Sequence, residues 1–349
     1  MKIITNILKC FTFVTICVLG LFSLKTAIYA KANSSSYVVI EKLSGRVLYE
    51  CNSNCKAFMA STTKILTTIT VIENFDVKQE IEIPSSCVLV EGSSVYLKEG
   101  EIYSVEDLLY GLMLRSGNDC AEALAVGLCG SIENFANIMN QTAVKCGATK
   151  SNFVNPHGLH DDNHFTTAYD LGVITCYAMQ NELFAKIVST KSYTVTEKLS
   201  GVSTQWVNKN KMLNSFDGAS GVKTGFTKKA GRCLVSSAKR NGMELICVVL
   251  NESNHYAVSK SLLSKGFDEY KLVKIIDSKK FKYRLPLKDK EKYLNLKIDN
   301  DFYYPIASGE VIKAEIDLPE YASNEVKDGD KVGEIKIYAS KQLIFSQNI

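Results

Sequence analysis

Asn241-Gly242 stands between two runs rich in apolar and β-branched residues, 232–238 and 244–250. Both turn residues tolerate the positive φ that a two-residue hairpin requires, so the three pieces together predict an antiparallel hairpin. Residues 221–226 read as a further strand just before it, and 253–270 as a helix packed on that sheet. Residues 36–50 hold two more β-rich runs around Leu43-Ser44-Gly45. Between these strand regions the apolar spacing favours helices over 56–74, 104–114, 121–128 and 132–144, with a short strand at 79–84. Ser104, followed three residues later by Asp107, marks a helix start. Residues 155–171 are dense in turn formers and end in a helix capped by Thr166 or Thr167. Beyond about Lys271, the runs 293–298, 310–318, 331–339 and 343–346 alternate apolar and polar residues, the pattern of a small all-β unit. The expected class is mixed α/β (α+β), with an antiparallel sheet flanked by helices and a C-terminal β-rich domain. The expected division is 1–32, 33–272 and 273–349, with the second boundary between 273 and 278.

The first 32 residues stand apart. Lys2 and Lys9 precede a charge-free run from Cys10 to Phe22, followed by the small-x-small patterns Ala27-Ile28-Tyr29-Ala30 and Ala30-Lys31-Ala32. That order is a secretory signal, and the run is shorter than the ~20 residues of a membrane span. The expected location is therefore secreted or extracytoplasmic, at the cell wall or the outer face of the membrane. A net charge of +4, with no basic patch interleaved with aromatics, argues against nucleic acid as a partner. Nine of the 11 cysteines follow Ala32, an odd number that cannot pair completely within one chain. Cys176, Cys233 and Cys247 lie in apolar runs and read as buried thiols.

Three short motifs carry the chemistry. Ser61-x-x-Lys64 opens an apolar helix and puts a hydroxyl and an amine nearly one turn apart. A serine needs an adjacent base to become a nucleophile, and an amine can serve once burial or a second cation lowers its pKa. Ser116-Gly117-Asn118 falls at a helix–helix turn, and Lys223-Thr224-Gly225 on a strand. Alone, each has an ordinary structural explanation: a cap, a turn, a surface strand. Their order and settings together carry the inference. His157, His160 and His164 with Asp161 and Asp162 crowd one loop, but their spacing matches no zinc-hydrolase motif.

The ordered set resembles that of the penicillin-recognising serine enzymes. From Ser36 onward the chain is similar to the low-molecular-mass penicillin-binding proteins, the serine-type D-alanyl-D-alanine carboxypeptidases. The hairpin YVVIEKLSGRVLY, the segment Asn155-Pro156-His157-Gly158-Leu159 and the β-rich tail add to the likeness. The resemblance implies a β-lactamase/transpeptidase-like domain with a five-stranded antiparallel sheet. It implies Ser61 as nucleophile, Lys64 as base and Ser116 as proton relay. Asn118, Lys223, Thr224, Gly225 and Phe226 would bind substrate, with the Ser61 and Phe226 N–H groups around the oxyanion, and His157 would lie near the site. Peptidoglycan stem peptides would be substrates and β-lactams covalent inhibitors, with neither cofactor nor metal. A β-lactamase is the first alternative, needing a deacylating glutamate for which Glu133 comes too early. A non-catalytic wall-binding module is the second. Family members often end in an amphipathic membrane helix. The last run here stops at Ile349, which implies release, wall association with peripheral contact to the membrane, or an N-terminal segment that stays as an anchor.

Overall fold

The computed structural model describes residues 35–288 and 291–349, so the segment read as a signal peptide lies outside the described residues. In chain order the strands are β1 (Ser36–Glu41), β2 (Val47–Cys51), β3 (Glu80–Glu82), β4 (Ile102–Ser104), β5 (Ser192–Thr196), β6 (Ser203–Val207), β7 (Ala219–Thr227), β8 (Gly231–Arg240), β9 (Met243–Leu250), β10 (Tyr270–Ile276), β11 (Tyr283–Pro286), β12 (Tyr293–Leu296), β13 (Phe302–Ala307), β14 (Ile312–Asp317), β15 (Glu334–Ala339) and β16 (Gln342–Asn348). The helices are α1 (Lys64–Asn74), α2 (Val105–Tyr110), α3 (Asn118–Cys129), α4 (Ile132–Lys145), α5 (Ala168–Ala178), α6 (Glu182–Ser189), α7 (Met212–Ser215) and α8 (His255–Glu269).

The expected hairpin joins β8 to β9, with Asn241 and Gly242 at φ 49° and 82°. It lies inside an antiparallel sheet of order β2-β1-β9-β8-β7. All eight residues of β9 are buried, although antiparallel strands commonly face water on one side. The side-chain period of two resolves this. Ile246, Val248 and Leu250 face a core built with α1, α3 and α5, whereas Leu245, Cys247 and Val249 face a second core with Leu263 of α8. Each such aliphatic side chain withdrawn from water contributes about 1.5–3 kcal/mol. Strand β7 is left at the sheet edge, alongside the turn that precedes α1.

The tail is all-β, as expected. It holds the pairs β10–β13 and β11–β12 and the three-stranded sheet β14-β15-β16. Sequence reading missed β10, β11 and β13. The backbone passes from α8 into β10 without a turn residue, which extended the apparent helix. Arg46, in the β1–β2 connection, grips this region. Its guanidinium donates to Pro305 O (2.6 Å) and to both Glu310 oxygens (2.8 and 2.9 Å). It also faces the rings of Tyr270 and Tyr304 at 5.1 and 4.9 Å. Hydrogen bonding to Arg46 holds the Glu310 carboxyl below its ordinary pKa.

All nine cysteines among the described residues are unpaired, and Cys176, Cys233 and Cys247 are buried.

Candidate active site

The helix expected from residue 56 begins later. Ala60–Thr63 form a 3-10 turn that runs into α1 at Lys64. In a 3-10 turn residues i and i+3 eclipse, so Ser61 and Lys64 stack more directly than in an α-helix. Lys64 Nζ lies 3.2 Å from Ser61 Oγ. The turn is held under strain, with Ala60 at φ 48°. Thr62 Oγ1 donates to Met59 O (2.6 Å) and Thr63 Oγ1 to Ala60 O (2.9 Å). Thr63 Oγ1 in turn accepts from His164 Nε2 (2.8 Å), because His164 Nδ1 already accepts the Val154 N–H (3.1 Å). Burial lowers the His164 pKa to about 3, which keeps that tautomer neutral. His164→Phe should therefore slow acylation by a reporter penicillin by about tenfold or more, while His164→Gln, which keeps a donor, recovers part of the rate. Equal rates for the two variants would show that the donor is immaterial.

Lys64 is fully buried. Its Nζ donates to Asn118 Oδ1 (2.7 Å) and His157 O (2.7 Å). Desolvation, followed by the positive charge of Lys223, pushes its pKa well below that of an ordinary lysine. Asn118 is oriented by its own Nδ2 donating to Glu91 O (2.5 Å).

The second motif follows an unusual helix end. α2 passes into a π-helical turn, Gly111–Arg115, which ends at Ser116 in the left-handed region (φ 65°, ψ 31°). Asn118 then opens α3. The Ser116 side chain is nearly buried, and among the described residues its hydroxyl has no hydrogen-bond partner. Asp119, also buried, accepts from Ser94 Oγ (2.5 Å), Val95 N–H (3.0 Å) and Leu97 N–H (3.2 Å), so the 91–97 loop is fastened to the motif.

The third motif lies on β7. Lys223 is buried, and desolvation, then the charge of Lys209, lowers its pKa to about 7. A Cβ on Gly225 would stand 3.0 Å from both Met59 O and Ser61 N, so the missing side chain lets β7 press against the turn that holds Ser61. Thr224 is half-buried beside it and the Phe226 ring is exposed. Direct hydrogen bonds thus unite Ser61, Lys64 and Asn118. Backbone packing adds Gly225, and charge couples Lys223 to Lys64.

The sequence matches a family model for D-alanyl-D-alanine carboxypeptidase over residues 24–254 and one for the penicillin-binding protein 5 C-terminal domain over 270–349. The chain belongs to the D-alanyl-D-alanine carboxypeptidase family. It is 29% identical to D-alanyl-D-alanine carboxypeptidase DacF of Bacillus subtilis, over 89% of this chain and 83% of that one. It is 30% identical to DacD of Salmonella typhimurium, over 89% and 84%. The crystal structure of penicillin-binding protein 5 from Haemophilus influenzae superposes with a TM-score of 0.78 at 27% identity, covering 91% of this chain and 96% of that one.

In this carboxypeptidase the histidine-rich loop is a cradle. Its carbonyls at Pro156 and His157 accept from Thr67 Oγ1 (2.7 Å) and Lys64 Nζ, and Gly158 backs onto the Ala60 carbonyl. The His157 ring accepts the Leu159 N–H (3.1 Å) and faces Glu122 Oε1 at 3.3 Å, while His160 packs edge-on against Phe58. Among the described residues no group of three or more His, Cys, Asp or Glu side chains is placed to hold a metal. Glu133 lies exposed in the first turn of α4. Sequence reading gave no role to His164, Gly158, Asp119 or Lys209. Gly158 and His164 stood out only as parts of a singled-out loop and Asp119 adjoins the second motif, whereas nothing local marks Lys209.

Proposed function

We propose that this D-Ala-D-Ala carboxypeptidase works through an acyl-enzyme on Ser61, with Lys64 as the general base. One observation carries the reading. A neutral amine has two N–H groups, and Asn118 Oδ1 and His157 O, neither of which can donate, take both. The nitrogen lone pair is then left for the third neighbour, the Ser61 hydroxyl. Ser61 Oγ attacks the carbonyl between the last two D-alanines and its proton passes to Lys64. The oxyanion forms against the backbone N–H groups of Ser61 and Phe226. As the C–N bond breaks, Ser116 gives its hydroxyl proton to the departing D-alanine amine and takes up the one held by Lys64, which leaves the lysine neutral again. Water then hydrolyses the ester, returning the serine and a shortened peptide. Lys223 and Thr224 hold the terminal carboxylate, with Lys209 as an additional cation, and Asn118 holds the substrate amide.

Stem peptides of peptidoglycan are the substrates in this reading, β-lactams acylate the same serine, and the enzyme acts outside the cytoplasmic membrane, at the wall. Among the described residues no helix is long and apolar enough to cross a membrane. The same reading divides the chain into a catalytic region, 33–272, and a β-rich tail, 273–349. The test is D-alanine release from a stem pentapeptide and labelling by a fluorescent penicillin, both lost in Ser61→Ala. Slow loss of the label marks a carboxypeptidase, whereas fast loss would favour a β-lactamase. Absence of labelling in the unaltered protein would favour a non-catalytic module.

The two lysines also set a pH profile. Lys64 must be deprotonated, so kcat/KM rises as pH climbs through its depressed pKa. Lys223 must be protonated to attract a carboxylate, so kcat/KM falls again through about 7. A bound carboxylate holds the Lys223 proton, so the falling limb of kcat should move to higher pH. In Lys223→Arg, whose guanidinium does not titrate, the falling limb should vanish from both parameters. If the limb persists in that variant, Lys223 is not its source.

A further inference from the structure

The order of residues along β7, taken with the acyl-enzyme reading, sets the direction in which a substrate leaves the cleft. Along β7 the order is Lys223, Thr224, Gly225, Phe226, and Gly225 is abreast of the nucleophile. In the reading above, the terminal carboxylate lies at Lys223 and Thr224. The peptide on the acyl side of the scissile bond therefore continues past Phe226, toward the β7–β8 turn. That turn is basic. Lys228, Lys229 and Arg232 are all exposed, and among the described residues none of them has an ion-pair partner. Phe226 and Arg232 are cross-strand partners, with the guanidinium 5.6 Å from a ring that is 61% exposed. Phe226 shares a sheet face with Thr224. The nearest acidic neighbour in sequence pairing is Glu252, whose N–H bonds Arg232 O (2.9 Å). Its carboxylate accepts from the Asn254 N–H (2.9 Å) and Ser253 Oγ (3.3 Å), at the start of α8.

The geometry points to a subsite at this turn, formed by Phe226, Lys228, Lys229 and Arg232, for a carboxylate carried on the acyl side of the peptide substrate. It rests on the acyl-enzyme reading for its polarity. Lys228 is three residues beyond Gly225, about 10 Å along an extended strand, so the carboxylate belongs about three residues before the scissile bond. Phe226 supplies an apolar surface for the intervening peptide, and the three cations supply attraction that the catalytic groups do not need for chemistry. An exposed charge gives about a twofold to threefold effect, so three together give about tenfold.

The test uses two synthetic peptides of equal length ending in D-Ala-D-Ala. One has a free side-chain carboxylate about three residues before the scissile bond and the other has its carboxamide. The ratio of their kcat/KM values is measured, because misfolding or a lower active fraction cancels from it. The full chain should favour the carboxylate peptide about tenfold at about 0.1 M salt. The preference should shrink toward unity at about 1 M, where the screening length falls to about 3 Å. In the combined variant Lys228→Gln, Lys229→Gln, Arg232→Gln the ratio should fall below about twofold at either salt concentration. Equal rates on both peptides in the full chain, or a preference that survives in the variant, would overturn the subsite. Ser61→Ala keeps the two ideas apart. If it still released D-alanine, the acyl-enzyme reading would fall, while the ratio would still judge the subsite.

Discussion

Lys64→Met is expected to lower the rate of acylation by penicillin by about a thousandfold or more while changing stability little. The rate loss follows from removing a base that general-base catalysis values at about 10²–10⁴. Stability is set by two opposed effects. The variant removes an amine whose pKa is depressed by burial and by Lys223, which relieves the folded state. It also leaves Asn118 Oδ1 and His157 O without their donor, at about 1–3 kcal/mol each. The balance should keep the unfolding free energy within about 2 kcal/mol of the parent. The rising limb of the pH profile should disappear from whatever activity remains. A variant that unfolds outright would show that Lys64 is mainly structural. One that acylates at more than about a tenth of the parental rate would place the base elsewhere.

The second large effect is expected at Gly158. It has φ +88°, and a Cβ there would lie 1.9 Å from the Ala60 carbonyl oxygen and 2.4 Å from its carbon. Both are backbone atoms of the Ala60–Thr63 turn, so no rotamer change relieves the contact. Gly158→Ala should push the 155–164 loop away from that turn, loosening Ser61 and Lys64 together. The expected loss of acylation is about a hundredfold, with about 3 kcal/mol or more of destabilisation. Gly147 is the control. It has a similar φ, +90°, but nothing lies within 4 Å of its Cβ position. Gly147→Ala should show only the backbone strain, about 1–2 kcal/mol, and a normal acylation rate. If both variants lost the same stability and kept the same rate, packing of the loop against the nucleophile turn would have no part in catalysis.

What sequence could and could not reveal follows from the range of each interaction. The β8–β9 hairpin, the Ser104 capping box and the Thr167 cap are local, and each was legible from residues within three or four positions of one another. The candidate site was proposed from sequence because three motifs, each ambiguous alone, occur in one order. The support beneath the motifs was not. His164 acts on Thr63 across 101 residues, and Lys209 acts on Lys223 through charge alone. The histidine cluster drew attention to His164 without pointing to Thr63, and nothing local marks Lys209. The 3-10 geometry of the Ala60–Thr63 turn was hidden for another reason. A β-branched, threonine-rich run resembles the opening of an α-helix, and only the strained Ala60, pinned by the distant loop, tightens it. Gly225 was expected among the substrate-binding residues, and its missing side chain also lets β7 come close to the backbone at Met59 and Ser61, a contact between distant segments that no local pattern announces.

Arg46 has a mechanical consequence. A guanidinium bonded to a carbonyl and a carboxylate and flanked by two tyrosine rings resists both sliding and twisting. Torque applied to the C-terminal strands therefore reaches the β1–β2 corner of the catalytic sheet as the turning of a stiff lever, instead of being absorbed by a slack joint. A load on the tail thus enters the sheet at the edge opposite β7.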